Sequence, residues 1–162
     1  MNIRKAFIAG VIATAGMVLI MAMARALGAC ADMPMVIGTM PGNSPSGVAW
    51  LMGFAVMLVG GGIGGIAYAA TFESLTRKAD AMTGILVALV PMVVEGLWLG
   101  FMDRMHPLVP KMIQSPGFFM SNHGSMGVIA FIVAHLAFGA IVGSLYGPLE
   151  TKSENDYLPM DE

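Results

Sequence analysis

Four apolar stretches, at about 6–27, 48–71, 81–102 and 125–147, take up most of the chain, separated by short polar or turn-rich segments. Each is long enough for a helix to cross a hydrocarbon core, which takes about 20 largely apolar residues. The pattern predicts an all-α, polytopic membrane protein: one transmembrane domain over residues 1–147 and a polar, acidic tail over 148–162. Of the connections, "DMPMVIGTMPGNSPSG" is turn-rich, and "DRMHPLVPKMIQSPGFFMSNHG" is long enough for a short helix lying on the membrane.

The spans repeat in pairs. Gly61, Gly65 and Tyr68 in the second span share the spacing G-x-x-x-G-x-x-Y with Gly139, Gly143 and Tyr146 in the fourth, and "AGVIATAG" in the first matches "TGILVALV" in the third. This predicts two helical hairpins, 1–72 and 79–147, inserted in the same orientation as parallel repeats. The simplest arrangement is a four-helix bundle with a pseudo-two-fold axis along the membrane normal. Small residues four apart let helix backbones approach closely, and "VGGGIGG" supplies two such pairs, Gly60 with Gly64 and Gly61 with Gly65. A phosphate-cradling loop would need a polar turn leading into a helix, and this run lies inside an apolar span.

Composition agrees with lipid as the solvent: 57% of residues are hydrophobic and only 11% charged, against roughly 25% charged in soluble domains. The net charge of -2 comes mainly from the tail and carries no message about nucleic acid. Lys and Arg counts set the orientation. Arg4, Lys5, Arg77, Lys78 and Lys152 fall on one side, and Arg104 and Lys111 on the other with Arg25 at the helix end, which predicts both termini in the cytoplasm. Trp50 and Trp98 are then expected near the outer interface, and Tyr68 and Tyr146 near the inner one. The opening "MNIRKAFIAGVIATAGMVLIMAMARALGACAD" imitates an export signal, but Arg25 interrupts the cleavage region and the apolar stretch is long, so it is expected to remain as the first helix. Cys30 is the only cysteine, can form no disulfide within the chain, and reads as a small interfacial residue.

The opening "KAFIAGVIATAGMVLIM", the glycine-rich second span and the closing "AHLAFGAIVGSLYG" together resemble a family of small four-helix bacterial inner-membrane proteins. The resemblance implies the fold and the membrane. The family has no established activity to carry over.

Few residues need a special reason. Glu95 lies in an apolar run, where an ionised carboxylate costs about 2.5–3.5 kcal/mol on insertion scales. Counted from the outer boundary at the rise of a helix, Arg25 is about 4 Å deep, Glu95 about 10 Å and His135 about 16 Å. Arg25 is therefore expected to pair with Glu95, with His135 a turn below, as a structural clamp or a polar relay. Pro91, a turn before Glu95, frees a backbone carbonyl nearby. His135 shares a face with Gly139 and Gly143 and has Met57 as its repeat counterpart, a His/Met pair that suits a haem iron or a quinone site. Methionine is enriched, 17 in 162, and Met120, His123 and Met126 in M-x-x-H-x-x-M combine thioether with imidazole, a donor set for copper(I).

No nucleophile, base and acid can be assembled. The expected function is therefore non-catalytic: a small accessory subunit of a larger membrane complex, respiratory or otherwise redox, bound to other integral subunits. The alternatives are copper handling or transport of protons or small solutes through the Met/His cluster or Glu95, and haem or quinone binding at His135.

Overall fold

The computed structural model describes residues 1–28 and 32–149; Cys30 and nearly all of the acidic tail lie outside the described residues. The helices are α1 (Ile3–Ala26), α2 (Met33–Gly38), α3 (Gly47–Thr71), α4 (Ala81–Leu99), α5 (Met102–Met105) and α6 (Gly124–Tyr146). A π-helical turn, Phe72–Thr76, extends α3, and a 3-10 segment, Phe118–His123, leads into α6. No strand occurs among the described residues. Among the described residues, four helices are long and apolar enough to cross a membrane. Their exposed sides carry residues such as Ile12, Leu19, Val59, Ile63, Val90 and Val94, a surface suited to lipid.

Local chemistry sets the helix ends. Asn2, Asp32, Ser46 and Asp80 cap α1, α2, α3 and α4, their side chains accepting from the backbone N–H groups of Lys5, Met35, Ala49 and Thr83. The bond from Thr83 N–H holds the Asp80 carboxyl below the usual aspartate range. Arg77, in the left-handed region at φ 54°, stops the turn after α3. The third span ends at Leu99, three residues short of expectation, because Gly100 and Phe101 turn the chain into α5.

The repeat expected from sequence is visible in how each hairpin closes. In the first, α1 lies on α3: a methyl on Gly65 would fall 2.8 Å from Gly10 Cα, and one on Gly10 would fall 2.9 Å from the Gly61 carbonyl carbon. In the second, α4 lies on α6: a methyl on Gly84 would fall 2.7 Å from the Gly139 carbonyl carbon, and one on Gly143 would fall 3.2 Å from Gly84 Cα. Gly10 and Gly84, Gly61 and Gly139, Gly65 and Gly143 thus hold matching places. The contact between hairpins does not share this symmetry. α1 packs along α6, whereas α3 and α4 meet at few positions, so the spatial order is α3, α1, α6, α4. A pseudo-two-fold bundle would make those two contacts equivalent, and here they are not.

The glycine run of α3 is also divided. Gly61 and Gly65 face α1, and Gly62 takes the ring of Phe7, but a methyl on Gly60 would meet nothing within 4 Å and one on Gly64 only Phe138, at 3.8 Å. The second pair in "VGGGIGG" therefore packs inside the chain and the first does not. Tyr68 and Tyr146 lie toward the helix ends on the side of the N-terminus and are buried there: Tyr68 meets Phe72 and Phe138 edge-on, and the Tyr146 hydroxyl donates to Glu73 and accepts from Asn2 N–H.

Candidate functional site

At the end of the helices opposite the termini, the connecting segments fold onto the spans. Helix α2 rests on α3, where a methyl on Gly53 would lie 2.6 Å from the Gly38 nitrogen. The 3-10 segment does not lie out on the membrane as a separate helix. Its Phe119 and Phe118 rings occupy the space left by Gly96 on α4 and by Gly100 just past its end. Asp32 joins three elements: besides capping α2, it is paired with Arg25 and accepts from Trp50 Nε1 at 2.9 Å. Buried His106 faces the Val36 carbonyl oxygen from Nε2 at 2.8 Å and accepts from Leu108 N–H at Nδ1, 3.1 Å, so Nε2 is the protonated nitrogen and donates to Val36.

This arrangement corrects the expected ion pair. Arg25 bonds Asp32, seven residues on, and Glu95 bonds His135, Oε2 to Nε2 at 3.1 Å. The reason is proximity: the turn after α1 brings Asp32 back to the helix end where Arg25 sits, and His135 comes from α6, the neighbour of α4. Glu95 lies four residues before the end of α4, about 6 Å along the axis and nearer that end than expected. α4 stays helical through Pro91.

The proton arrangement of the Glu95–His135 pair follows from its partners. His135 Nδ1 faces the Phe131 carbonyl oxygen at 2.9 Å, and a carbonyl only accepts, so Nδ1 carries a hydrogen. The bond between Nε2 and Glu95 then needs one further proton, on the imidazole or on the carboxyl. With it the pair is neutral overall, the form suited to an apolar setting. Both ring nitrogens are thereby engaged, and this geometry leaves none for an iron opposite Met57.

Beside Glu95 lies a small cavity with room for about one water molecule, lined by Met17, Met21, Met33, Met57, Met120 and Glu95 among others. Met57 and Met120 were expected in two different sites and meet here in one. The M-x-x-H-x-x-M spacing does not produce a cluster: Met120 is buried at 1% exposure and turned into the cavity wall, while Met126 is 53% exposed. Backbone conformation separates them, since Phe119 and Met120 are left-handed, at φ 52° and 64°, and break the helical register before α6 begins. Nε2 of His123 is buried without a hydrogen-bond partner. Of the glycines expected to pack helices, Gly61, Gly65, Gly139 and Gly143 do so within the chain.

Sequence reasoning missed Asp32, His106 and the roles of Met17, Met21 and Met33. Met17 and Met21, four apart on α1, were open to detection as one helix face. Asp32 carried the signal of a capping residue before Pro34.

No curated protein and no solved structure matches the chain. Over residues 1–157 it fits a family profile, and with four spanning-length helices arranged as two hairpins the protein belongs to the family of unknown function DUF6789.

Proposed function

We propose that this protein is a non-catalytic component of the bacterial inner membrane, with both termini cytoplasmic, that works as a small accessory subunit bound to other integral subunits. A respiratory or other redox complex is the candidate class of assembly. The observation that carries the reading is Gly60. A glycine inside a helix costs about 1 kcal/mol relative to alanine, and Gly60 offsets nothing within the chain, since a methyl there meets no atom within 4 Å. Gly64 follows one turn later on the same face, with Phe138 alone nearby. Small residues in this spacing serve close helix contact in membranes, so the partner for this face is a helix of another subunit. Arg4, Lys5, Arg77 and Lys78 at the end bearing the termini support the orientation.

The test is Gly60→Leu in native membranes. The expected result is loss of the larger assembly on native gels, while the purified variant unfolds at the wild-type temperature. An assembly unchanged by the substitution refutes this reading.

A second reading is supported by the neutral Glu95–His135 pair: passage of a proton or orientation of a small solute. It predicts that Glu95→Gln leaves the assembly intact and abolishes its activity; full activity in that variant removes it.

A further inference from the structure

The methionines around Glu95 come from four separate segments: Met17 and Met21 from α1, Met33 from α2, Met57 from α3 and Met120 from the 3-10 turn. We propose that the cavity they line binds a soft monovalent cation of the copper(I) class, the cation displacing to solvent the proton shared by Glu95 and His135 so that the Glu95 carboxylate balances its charge. This goes beyond subunit binding and does not depend on it.

Methionine is a pliable filler that closes irregular gaps, yet the space these side chains line keeps room for about one water molecule. Five methionines and one carboxylate are among the residues that line it. Its size suits a single ion and no organic ligand. Hydrophobic packing alone gives no reason for a carboxylate in the same wall.

The donor chemistry selects the ion. Thioethers are soft and favour copper(I), whereas magnesium and calcium need several oxygen donors. The cavity wall offers one carboxylate. Thioethers are also neutral, so a cation held by them in an apolar setting needs a nearby anion. Glu95 meets that need once the proton it shares with His135 has left, because Arg25, the permanent cation expected beside it, is held by Asp32. His135 bonds Glu95 from outside the cavity wall and fixes its orientation, as outer partners of metal sites do.

Backbone geometry is a second, independent observation. Phe119 and Met120 are consecutive non-glycine residues in the left-handed region, φ 52° and 64°. Side chains disfavour that conformation, and residues held in it concentrate at functional sites. It is this conformation that puts the Met120 side chain into the cavity wall.

The experiment uses the full chain, purified in detergent on a Cys30→Ala background so that no thiol competes, with Ag(I) as the redox-inert probe. The expected result is one tight Ag(I) per chain in a chelator competition. Met57→Leu combined with Met120→Leu is expected to lower affinity by more than the roughly 10–100-fold that losing an outer partner of a metal site costs, and Glu95→Gln by at least about 10-fold. Leucine nearly conserves the volume of methionine, and the unfolding temperature reports whether the double variant is folded; if it is not, Met33→Leu alone, on the short α2, supplies the comparison. Met82→Leu and Met112→Leu, at exposed positions, are expected to change nothing. Absence of a tight site in the parent chain overturns the proposal. So does an affinity that survives the cavity substitutions or falls equally with the exposed ones.

Discussion

Replacing Gly84 by alanine adds one methyl group at the point where α4 crosses α6. The new carbon would stand 2.7 Å from the Gly139 carbonyl carbon and 3.2 Å from the Gly143 nitrogen. Non-bonded carbons favour about 3.5–4.0 Å, so the helices must part by about 1 Å, and a gap of that size forfeits a quarter to a half of each neighbouring contact. These two atoms and the Gly139 carbonyl oxygen, which lies nearer still, are all backbone, which has no rotamer with which to move aside. Overpacking of this kind costs about 1–3 kcal/mol, and the better helix propensity of alanine returns up to about 1 kcal/mol of it. Gly60→Ala adds the same methyl to α3 where nothing lies within 4 Å. It gains the propensity and should match or exceed the parent in stability. Reversible unfolding in mild detergent, followed by tryptophan fluorescence and checked by size exclusion, measures both. The reasoning is refuted if Gly84→Ala is as stable as the parent, because the two backbones then do not approach as described.

Two further outcomes follow from the same geometry. A double-mutant cycle on Arg25→Met and Asp32→Asn should give a coupling of about 0.2–1 kcal/mol, as for partly exposed ion pairs, while a cycle on Arg25→Met and Glu95→Gln should give none; the reverse ranking would restore the pair expected from sequence. For orientation, Gln114→Cys should react with an impermeant thiol reagent in intact cells and Ser74→Cys should not, both on the Cys30→Ala background. Gln114 is the better reporter because neighbouring Ser115 is buried at 7% exposure; labelling in the opposite pattern would invert the topology.

The sequence alone determined the solvent, the four spans, their pairing into hairpins and the correspondence of Gly61 and Gly65 with Gly139 and Gly143. These depend on summed hydropathy and local spacing, which a linear chain displays. What it left open is the rotation of each helix about its own axis. In water an apolar stripe sets that rotation, but lipid is as apolar as a core, and these spans are apolar all round. Hence hydropathy did not choose between Gly60/Gly64 and Gly61/Gly65 as the inward pair, and the packing of α1 against α3 did. The polar pairs followed the same logic. Depth along the normal made Arg25 and Glu95 plausible partners, but a hydrogen bond also needs the right neighbouring helix and the right face. The fold put His135 of α6 beside Glu95 and returned Asp32 to Arg25. The methionine cavity was the least legible part, because its sulfurs come from four segments and one of them is aimed by a left-handed turn that no periodicity announces.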